Sequence, residues 1–280
     1  MNGWLIYDDA GYARNQWFIK RMLDAASDRG LSLAFVRAEE LTAGVRQGRA
    51  FVARAGREEF PSYAICRTID PKLSDVLEKV GTRVFNSAEV SRVCNDKALT
   101  YETFSCEGVP MPTTVFYRAS RFEESGVGYP AVFKSPDGHG GSEVFLVENK
   151  KEVLTAIQKT QSKEFLLQKV VQKGVDVRVY LLNGEIVAAV KRTSKTDFRS
   201  NYSLGGSVEL TEPCEVMRSV CDAVYRKLHP FFVGVDFIFD ENGDPLLNEI
   251  EDVVGTRMLY RLTDKDVAGI YMDELKKALS

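Results

Sequence analysis

The sequence predicts an α/β protein built from more than one lobe. Three observations carry that prediction. Short apolar runs alternate with amphipathic helical runs up to Asn86, long strand-like runs joined by tight-turn residues follow further on, and the 280 residues are enough to bury one large core or two to three smaller ones.

In chain order, "GWLIYDD" reads as a buried strand. In "NQWFIKRMLDAASDRG" the apolar residues Trp17, Met22, Leu23 and Ala26 recur at helical spacing, and Gly30 is a stop. "LSLAFVRAEEL" and "PSYAICRTI" are strands, "PKLSDVLEKVG" is helical, and "RVFN" is a short strand, so the first lobe is a small parallel-sheet domain. Such a domain usually places ligands at the C-terminal ends of its strands, but it has no G-x-G-x-x-G to support a dinucleotide. "SAEVSRVCNDKALTYETFSCEG" predicts one helix capped by Ser87 and ended by Gly108. "VPMPTTVFY" is extended because of its prolines. Two strands, "YPAVFKS" and "SEVFLVEN", flank "PDGHGG". A helix over 151–161, a strand "EFLLQKVV" and a hairpin turning at Asn183-Gly184 come next. A helix "PCEVMRSVCDAVYRKLH" precedes "FFVGVDFIFDENGDPLLNEIE", and an amphipathic helix closes the chain.

Composition narrows the function. Hydrophobic residues at 44%, charged residues at 28% and a net charge of -3 are ordinary for a globular protein, and dispersed basic residues argue against nucleic acid. No apolar run approaches membrane-spanning length, and "MNGWLIYDD" does not read as a signal peptide. Five scattered cysteines without a C-x-x-C pair suit reduced thiols in a cytoplasmic protein. Two histidines make zinc sites and Ser–His–Asp machinery poor prospects.

The chemistry concentrates in four stretches. In "PLLNEIEDVVG", Glu249, Glu251 and Asp252 sit among Leu, Ile and Val, where an unpartnered carboxylate would be costly. With Asn242-Gly243 as a two-residue loop, Asp236 falls directly opposite Glu249, and Glu251 shares their face. Like charges so placed repel, so a positive partner is expected above them, and a hard divalent cation suits carboxylate oxygens. The bland alternative is a solvated acidic hairpin. "VFKSPDGHGGSEV" sets Lys134 before Gly138, Gly140 and Gly141, whose backbone N–H groups could converge on an anion, though a flexible tip is an equal reading. "DVRVY" puts Asp176, Arg178 and Tyr180 on one strand face. "KRTSKTDFRSNYSLGG" is either an anion-binding or a surface loop.

These segments, in this order, resemble the ATP-grasp superfamily, in its branch of RimK-like carboxylate–amine ligases that also includes LysX. The resemblance covers roughly 86–260, through "NDK", "GVPMPTT", "PAVFKSPDGHGGSEV", "LLQKVV", "GVDVRVYLLNGEIVAAVKR", "DFRSNYSLGG" and "GVDFIF…LLNEIE". It implies two α+β subdomains clamping ATP behind a Rossmann-like domain, divided at 1–90, 91–165 and 166–280. Carried over residue by residue, it implies that Lys97 and Lys134 contact the phosphates under a glycine loop of Gly138, Gly140 and Gly141. Gln168, Lys169 and Val170 would form the adenine hinge, and Asp176, Arg199, Ser200 and Asn201 would line the nucleotide. Arg178 and Arg192 would face an acyl phosphate. Asp236, Glu249 and Glu251 would hold magnesium, with manganese as an alternative. Two departures stand out. Glu251 replaces the Asn of the usual E-x-N, and "DVVGTRMLY" lacks the small-residue-plus-proline pattern, so the acceptor pocket is expected to differ. The implied reaction joins a small-molecule or peptide carboxylate to an amine at the expense of ATP, in a chain that can form a homo-oligomer. A kinase on the same fold, expected to need a more basic acceptor pocket, and a non-catalytic nucleotide-binding module are the rivals. The first lobe and the region around Arg257 are where substrate choice is expected.

Overall fold

A computed structural model describes residues 1–138, 143–172, 174–194 and 207–280. The first lobe comprises β1 (Asn2–Tyr7), α1 (Asp9–Asp28), β2 (Ser32–Arg37), β3 (Leu41–Arg46), β4 (Arg49–Arg54), β5 (Arg57–Glu58), β6 (Tyr63–Cys66), α2 (Pro71–Lys79) and β7 (Arg83–Phe85). Four of its strands form the predicted parallel sheet in the order β2-β1-β6-β7. The other three make a separate antiparallel sheet, β3-β4-β5, inserted between β2 and β6. Sequence reading passed over this insertion, although its two X-Gly turns, Gln47-Gly48 and Ala55-Gly56, have the doubly positive φ of tight hairpins.

The helix predicted after Ser87 is two helices, α3 (Ala88–Cys94) and α4 (Lys97–Phe104). Ser87 does cap the first. The break comes from two short polar side chains that compete for the backbone: Asn95 Nδ2 donates to the Ser91 carbonyl, and the Asp96 carboxylate accepts from Leu99 N. Lys97 thereby begins a new helix, buried, instead of riding on the side of a long one.

The middle sheet, in the order β10-β9-β11-β8, contains β8 (Thr114–Arg118), β9 (Ala131–Lys134), β10 (Val144–Val147) and β11 (Glu164–Lys169), backed by α5 (Lys150–Thr160). Its core is aromatic, with Phe133 and Phe165 stacked at 4.8 Å. The last sheet, β14-β13-β12-β15-β16, is antiparallel and includes β12 (Val175–Leu182), β13 (Glu185–Thr193), β14 (Ser207–Thr211), β15 (Phe232–Phe239) and β16 (Pro245–Glu251). Its helices are α6 (Glu215–Leu228), α7 (Arg257–Leu262) and α8 (Val267–Leu279). Asn183 and Gly184, at φ 48° and 88°, make the predicted hairpin turn of β12 and β13.

Strand alternation splits β12 between two cores. Val177, Val179 and Leu181 pack with α3, α4 and α6. Tyr180 and Leu182 pack on the other side with Phe18 and Met22 of α1 and Met272 of α8. The first lobe is therefore cemented to the end of the chain, each fully buried Leu, Met or Phe contributing roughly 1.5–3 kcal/mol. Among the described residues no helix is long and apolar enough to cross a membrane.

The β15–β16 hairpin corrects the expected turn. Asp240 Oδ1 accepts from Asn242 N and Asp244 N, and Asp240 N donates to the Asp244 carbonyl at 3.0 Å, so the loop is longer than two residues. Only Gly243 has positive φ there, at 86°. The longer loop shifts the register by one, pairing Phe237 with Leu247. A bulge at Asn248 restores it, so that Asp236 still faces Glu249. The pairing is as predicted; the turn that produces it is not.

Candidate active site

Cross-strand pairing brings the charged residues of the last sheet onto one face. Asp176 pairs with Arg192, Arg178 with Asp236, and Asp236 with Glu249. Arg178 donates from Nε and Nη2 to the two oxygens of Asp236, both at 2.7 Å, and from Nη1 to Glu251 Oε2 at 2.5 Å. Arg192 donates from Nε to Asp176 Oδ1 at 2.5 Å and from Nη2 to Asp236 Oδ2 at 2.8 Å. Arg192 Nη1 has no partner among the described residues. At 3–6% exposure, Asp236, Arg192 and Arg178 would be expensive to bury unpaired, and these forked bonds are what makes the burial tolerable.

Two lysines reach the same strand pair from different elements. Lys97, at the start of α4, sits 3.2 Å from Glu249 Oε1 and donates to the Gly138 carbonyl. Lys134, at the end of β9, donates to Asn248 Oδ1 at 2.7 Å. The bulge lets adjacent residues, Asn248 and Glu249, both meet a lysine. Sequence reasoning missed Asn248, whose only signal is its place beside Glu249. It missed Tyr101 as well, whose hydroxyl donates to the Asn248 carbonyl at 2.8 Å.

Burial and neighbours shift the titrating groups apart. Desolvation lowers Lys134 to about 8, with Glu249 opposing and Lys97 adding to the shift. Burial raises Asp176 to about 6 against the pull of Arg192. Burial also works to raise Asp236, but Arg178 and Arg192 outweigh it and hold the carboxyl below its ordinary range.

The other expected residues lie as follows. Gln168 is buried, and its Nε2 donates to Tyr101 Oη at 2.8 Å and Thr114 Oγ1 at 3.0 Å, tying β11 to α4 and β8. Lys169 N donates to the Thr113 carbonyl, and Lys169 and Val170 line a cleft of about 720 Å³ with Met111 and Asp240, to which none of the clustered charges contributes. Gly140, Gly141, Arg199, Ser200 and Asn201 lie outside the described residues. Arg257 starts α7 and donates to the Arg14 carbonyl at 2.5 Å.

A divalent cation would have to share this donor set with the arginines, because both Asp236 oxygens already accept from Arg178 and Arg192. Among the described residues no three His, Cys, Asp or Glu side chains form a ready-made metal cage. Asp236 and Glu249 are cross-strand neighbours, Glu249 makes its ion pair with Lys97, and Glu251 is turned onto Arg178. Two carboxylates leaving the rest of the shell to phosphate and water is the usual magnesium arrangement. The positive charge expected above the acidic face is supplied here by Arg178, Arg192 and Lys97.

Lys97 from α4 and Lys134 from β9 thus converge on the neighbouring residues Glu249 and Asn248 of the last sheet. The sequence matches the RimK-like ATP-grasp domain over residues 95–275, and the chain belongs to that family. A probable alpha-L-glutamate ligase of Parasynechococcus marenigrum is 28% identical over 93% of this chain and 59% of its own length. N-acetylaspartylglutamate synthase A of Homo sapiens is 30% identical over 76% of this chain and 59% of its own. The chain thus spans about three fifths of these relatives. Glutamate--LysW ligase ArgX of Sulfurisphaera tokodaii is 28% identical over 74% of this chain and 77% of its own length. Among solved structures, the ATP-grasp ligase PsnB complexed with a minimal precursor superposes with a TM-score of 0.72 at 18% identity, covering 99% of both chains. PsnB has also been solved with Mg and ADP. The fold is therefore the ATP-grasp fold, as expected.

Proposed function

We propose that the chain is an ATP-dependent carboxylate–amine ligase that forms ADP and phosphate. The observation that carries this reading is the convergence of Lys97 and Lys134 on Asn248 and Glu249, beside the Asp236–Arg178–Arg192 cluster. A carboxylate is a poor electrophile, so its oxygen attacks the γ-phosphorus of ATP, ADP leaves, and an acyl phosphate results. An amine then attacks the acyl carbon, phosphate departs, and the amine nitrogen loses a proton. The protein must neutralise the phosphates, align the reactants and keep water out.

Lys97 and Lys134 neutralise phosphate oxygens, and Gly138 with the following glycines covers them. Asp236 and Glu249 would hold magnesium, with Glu251 beside them; the ion would supply charge neutralisation to the phosphates. Arg192, whose Nη1 has no partner among the described residues, stabilises charge at the acyl centre, and Arg178 holds Asp236 and Glu251 in place. Asp176 orients Arg192. Lys169 and Val170 contact adenine through their backbone, and Arg199, Ser200 and Asn201 line the nucleotide. The substrates are a small-molecule or peptide carboxylate and an amine; the named relatives are glutamate ligases, and PsnB is a ligase solved with a peptide precursor.

A small-molecule kinase remains the second reading because one observation favours it: the cavity beside Arg178 and Arg192 is rich in arginine. Calorimetry with ADP, with and without magnesium, on wild type and Glu249→Ala tests the shared nucleotide site. Magnesium-dependent binding weakened at least tenfold by the substitution is expected, and a folded wild type that binds no nucleotide overturns both readings. Hydroxylamine separates the two, since an acyl phosphate is trapped as a hydroxamate and a phosphate ester is not.

A further inference from the structure

Arg67 follows directly on β6, at the C-terminal edge of the parallel sheet where such domains present ligands. It is 9% exposed, yet no carboxylate among the described residues pairs with it. Its Nη2 donates to the Val254 carbonyl at 2.7 Å, its Nε makes a 3.4 Å contact with Tyr7 Oη, and its guanidinium lies 5.7 Å from the centre of the Phe18 ring. Nη1 has no partner among those residues, and it is not sealed from solvent. Arg67 lines a cavity of about 290 Å³ whose wall also includes Arg14, Arg257, Arg178 and Arg192.

Arg178 and Arg192 are already matched to Asp236, Asp176 and Glu251. Arg14, Arg67 and Arg257 have no acidic partner within ion-pair distance among the described residues, Asp252 acting on Arg67 only through space, and the one acid on the cavity wall, Glu251, is held by Arg178. A buried guanidinium without a counter-charge is costly unless an anion arrives with the ligand. The cavity is small, the size of an amino acid or a short metabolite and too tight for a drug-sized ligand. Its wall joins Arg67 to Arg178 and Arg192 of the charged cluster.

We propose that Arg67, assisted by Arg257 and Arg14, is an anion subsite that selects a small substrate bearing an acidic group, carboxylate or phosphate, away from its reacting atom. The assignment rests on the ligase reading for which end reacts, but the subsite itself stands on the unpaired arginines. It also makes specificity a property of the first lobe, because Arg14 and Arg67 both come from it, outside the residues matched to the family.

The test is calorimetry on the full chain, with and without Mg–ADP, using L-aspartate, L-glutamate, succinate and glycerol 3-phosphate. L-Asparagine, L-glutamine, succinamide and glycerol are the neutral matches. At least one acid should bind ten-fold or more tightly than its neutral match, and Arg67→Met should remove that preference while leaving Mg–ADP affinity within twofold. Arg257→Met, at an exposed position where folding is not at issue, should weaken it about threefold. A preference confined to glycerol 3-phosphate supports the subsite and names phosphate as its group. Equal binding of acids and neutral matches, or a preference that survives Arg67→Met, overturns the proposal. Loss of Mg–ADP binding with the acid preference intact overturns the ligase reading alone.

Discussion

Asp236 and Asp252 are both buried aspartates of the same hairpin region, but their surroundings differ. Asp236 is gripped by three guanidinium N–H groups and stays ionised. Asp252 is held by amides: Asn86 Nδ2 donates to Oδ1 at 2.6 Å and Asn95 Nδ2 to Oδ2 at 3.3 Å, and burial raises its carboxyl above the ordinary range. Asn86 also bonds the backbone of Phe231 and Phe232. Asp252 therefore latches the end of β7 and the end of α3 to the last sheet. The difference teaches that a buried aspartate stays charged where guanidinium groups bond it directly, whereas amide donors with a more distant Arg67 leave burial the stronger influence.

The strongest way to break this contrast is Asp236→Asn. It leaves Arg178 and Arg192 sharing a neutral amide, and loss of one partner of a buried ion pair costs about 3–5 kcal/mol. ATP-dependent phosphate release should fall at least a hundredfold and the melting temperature should drop. A variant that keeps wild-type turnover would remove Asp236 from the machinery.

Asp252→Asn should act on stability alone, costing about 1–3 kcal/mol through a mismatched buried amide, with Mg–ADP affinity unchanged. Its pH dependence has a definite sign. Because the folded carboxyl titrates above its unfolded value of about 3.9, the wild type loses stability as pH rises from there through the raised folded value. The variant lacks that loss, so its deficit is largest in acid and shrinks above the window. Urea denaturation at pH 4 and pH 7 measures it; a deficit that grows with pH contradicts the assignment.

Lys134 sharpens the contrast from the cationic side. Its ammonium is lowered to about 8 in the folded chain, so below that pH burial of the charge costs stability, on the order of 3 kcal/mol, and the cost fades as pH rises towards 10.5. Lys134→Met should therefore melt higher than wild type at pH 7, with the gain vanishing near pH 10, while binding ADP more weakly. A variant that is no more stable at pH 7 would show that Asn248 and Glu249 already compensate the charge.

Much of this was legible in the sequence, and the failures have physical causes. The shared face of Asp176, Arg178 and Tyr180 follows from the two-residue period of strands, whereas the Asp236–Glu249 pairing was read correctly because the bulge cancels the one-residue shift of the longer loop. The turn reading failed because Asp240 uses its side chain to enlarge the loop, and the single helix failed because Asn95 and Asp96 capture backbone groups. Asn248 was hidden by the bulge, which no periodicity reports. Arg67 drew no notice inside "PSYAICRTI", since lack of an ion-pair partner among the described residues is a property of the folded neighbourhood.

The smallest expected effect belongs to Glu251→Asn, which exchanges the carboxylate for the neutral amide of a shorter side chain. Glu251 lies on the ligand face but directs Oε2 to Arg178, and burial raises its carboxyl despite that arginine. An asparagine would keep an oxygen near Arg178 and remove one negative charge from a face already holding Asp236 and Glu249. Arg178 would stay bound to Asp236 through two bonds, so folding should change by only about 1 kcal/mol. On the proposed assignment of Asp236 and Glu249 to magnesium, the magnesium concentration giving half-maximal ADP binding should rise several-fold, because a nearby charge is lost while those two carboxylates remain. A rise as large as that of Glu249→Ala would make Glu251 a direct ligand, and no rise would make it solely the partner of Arg178.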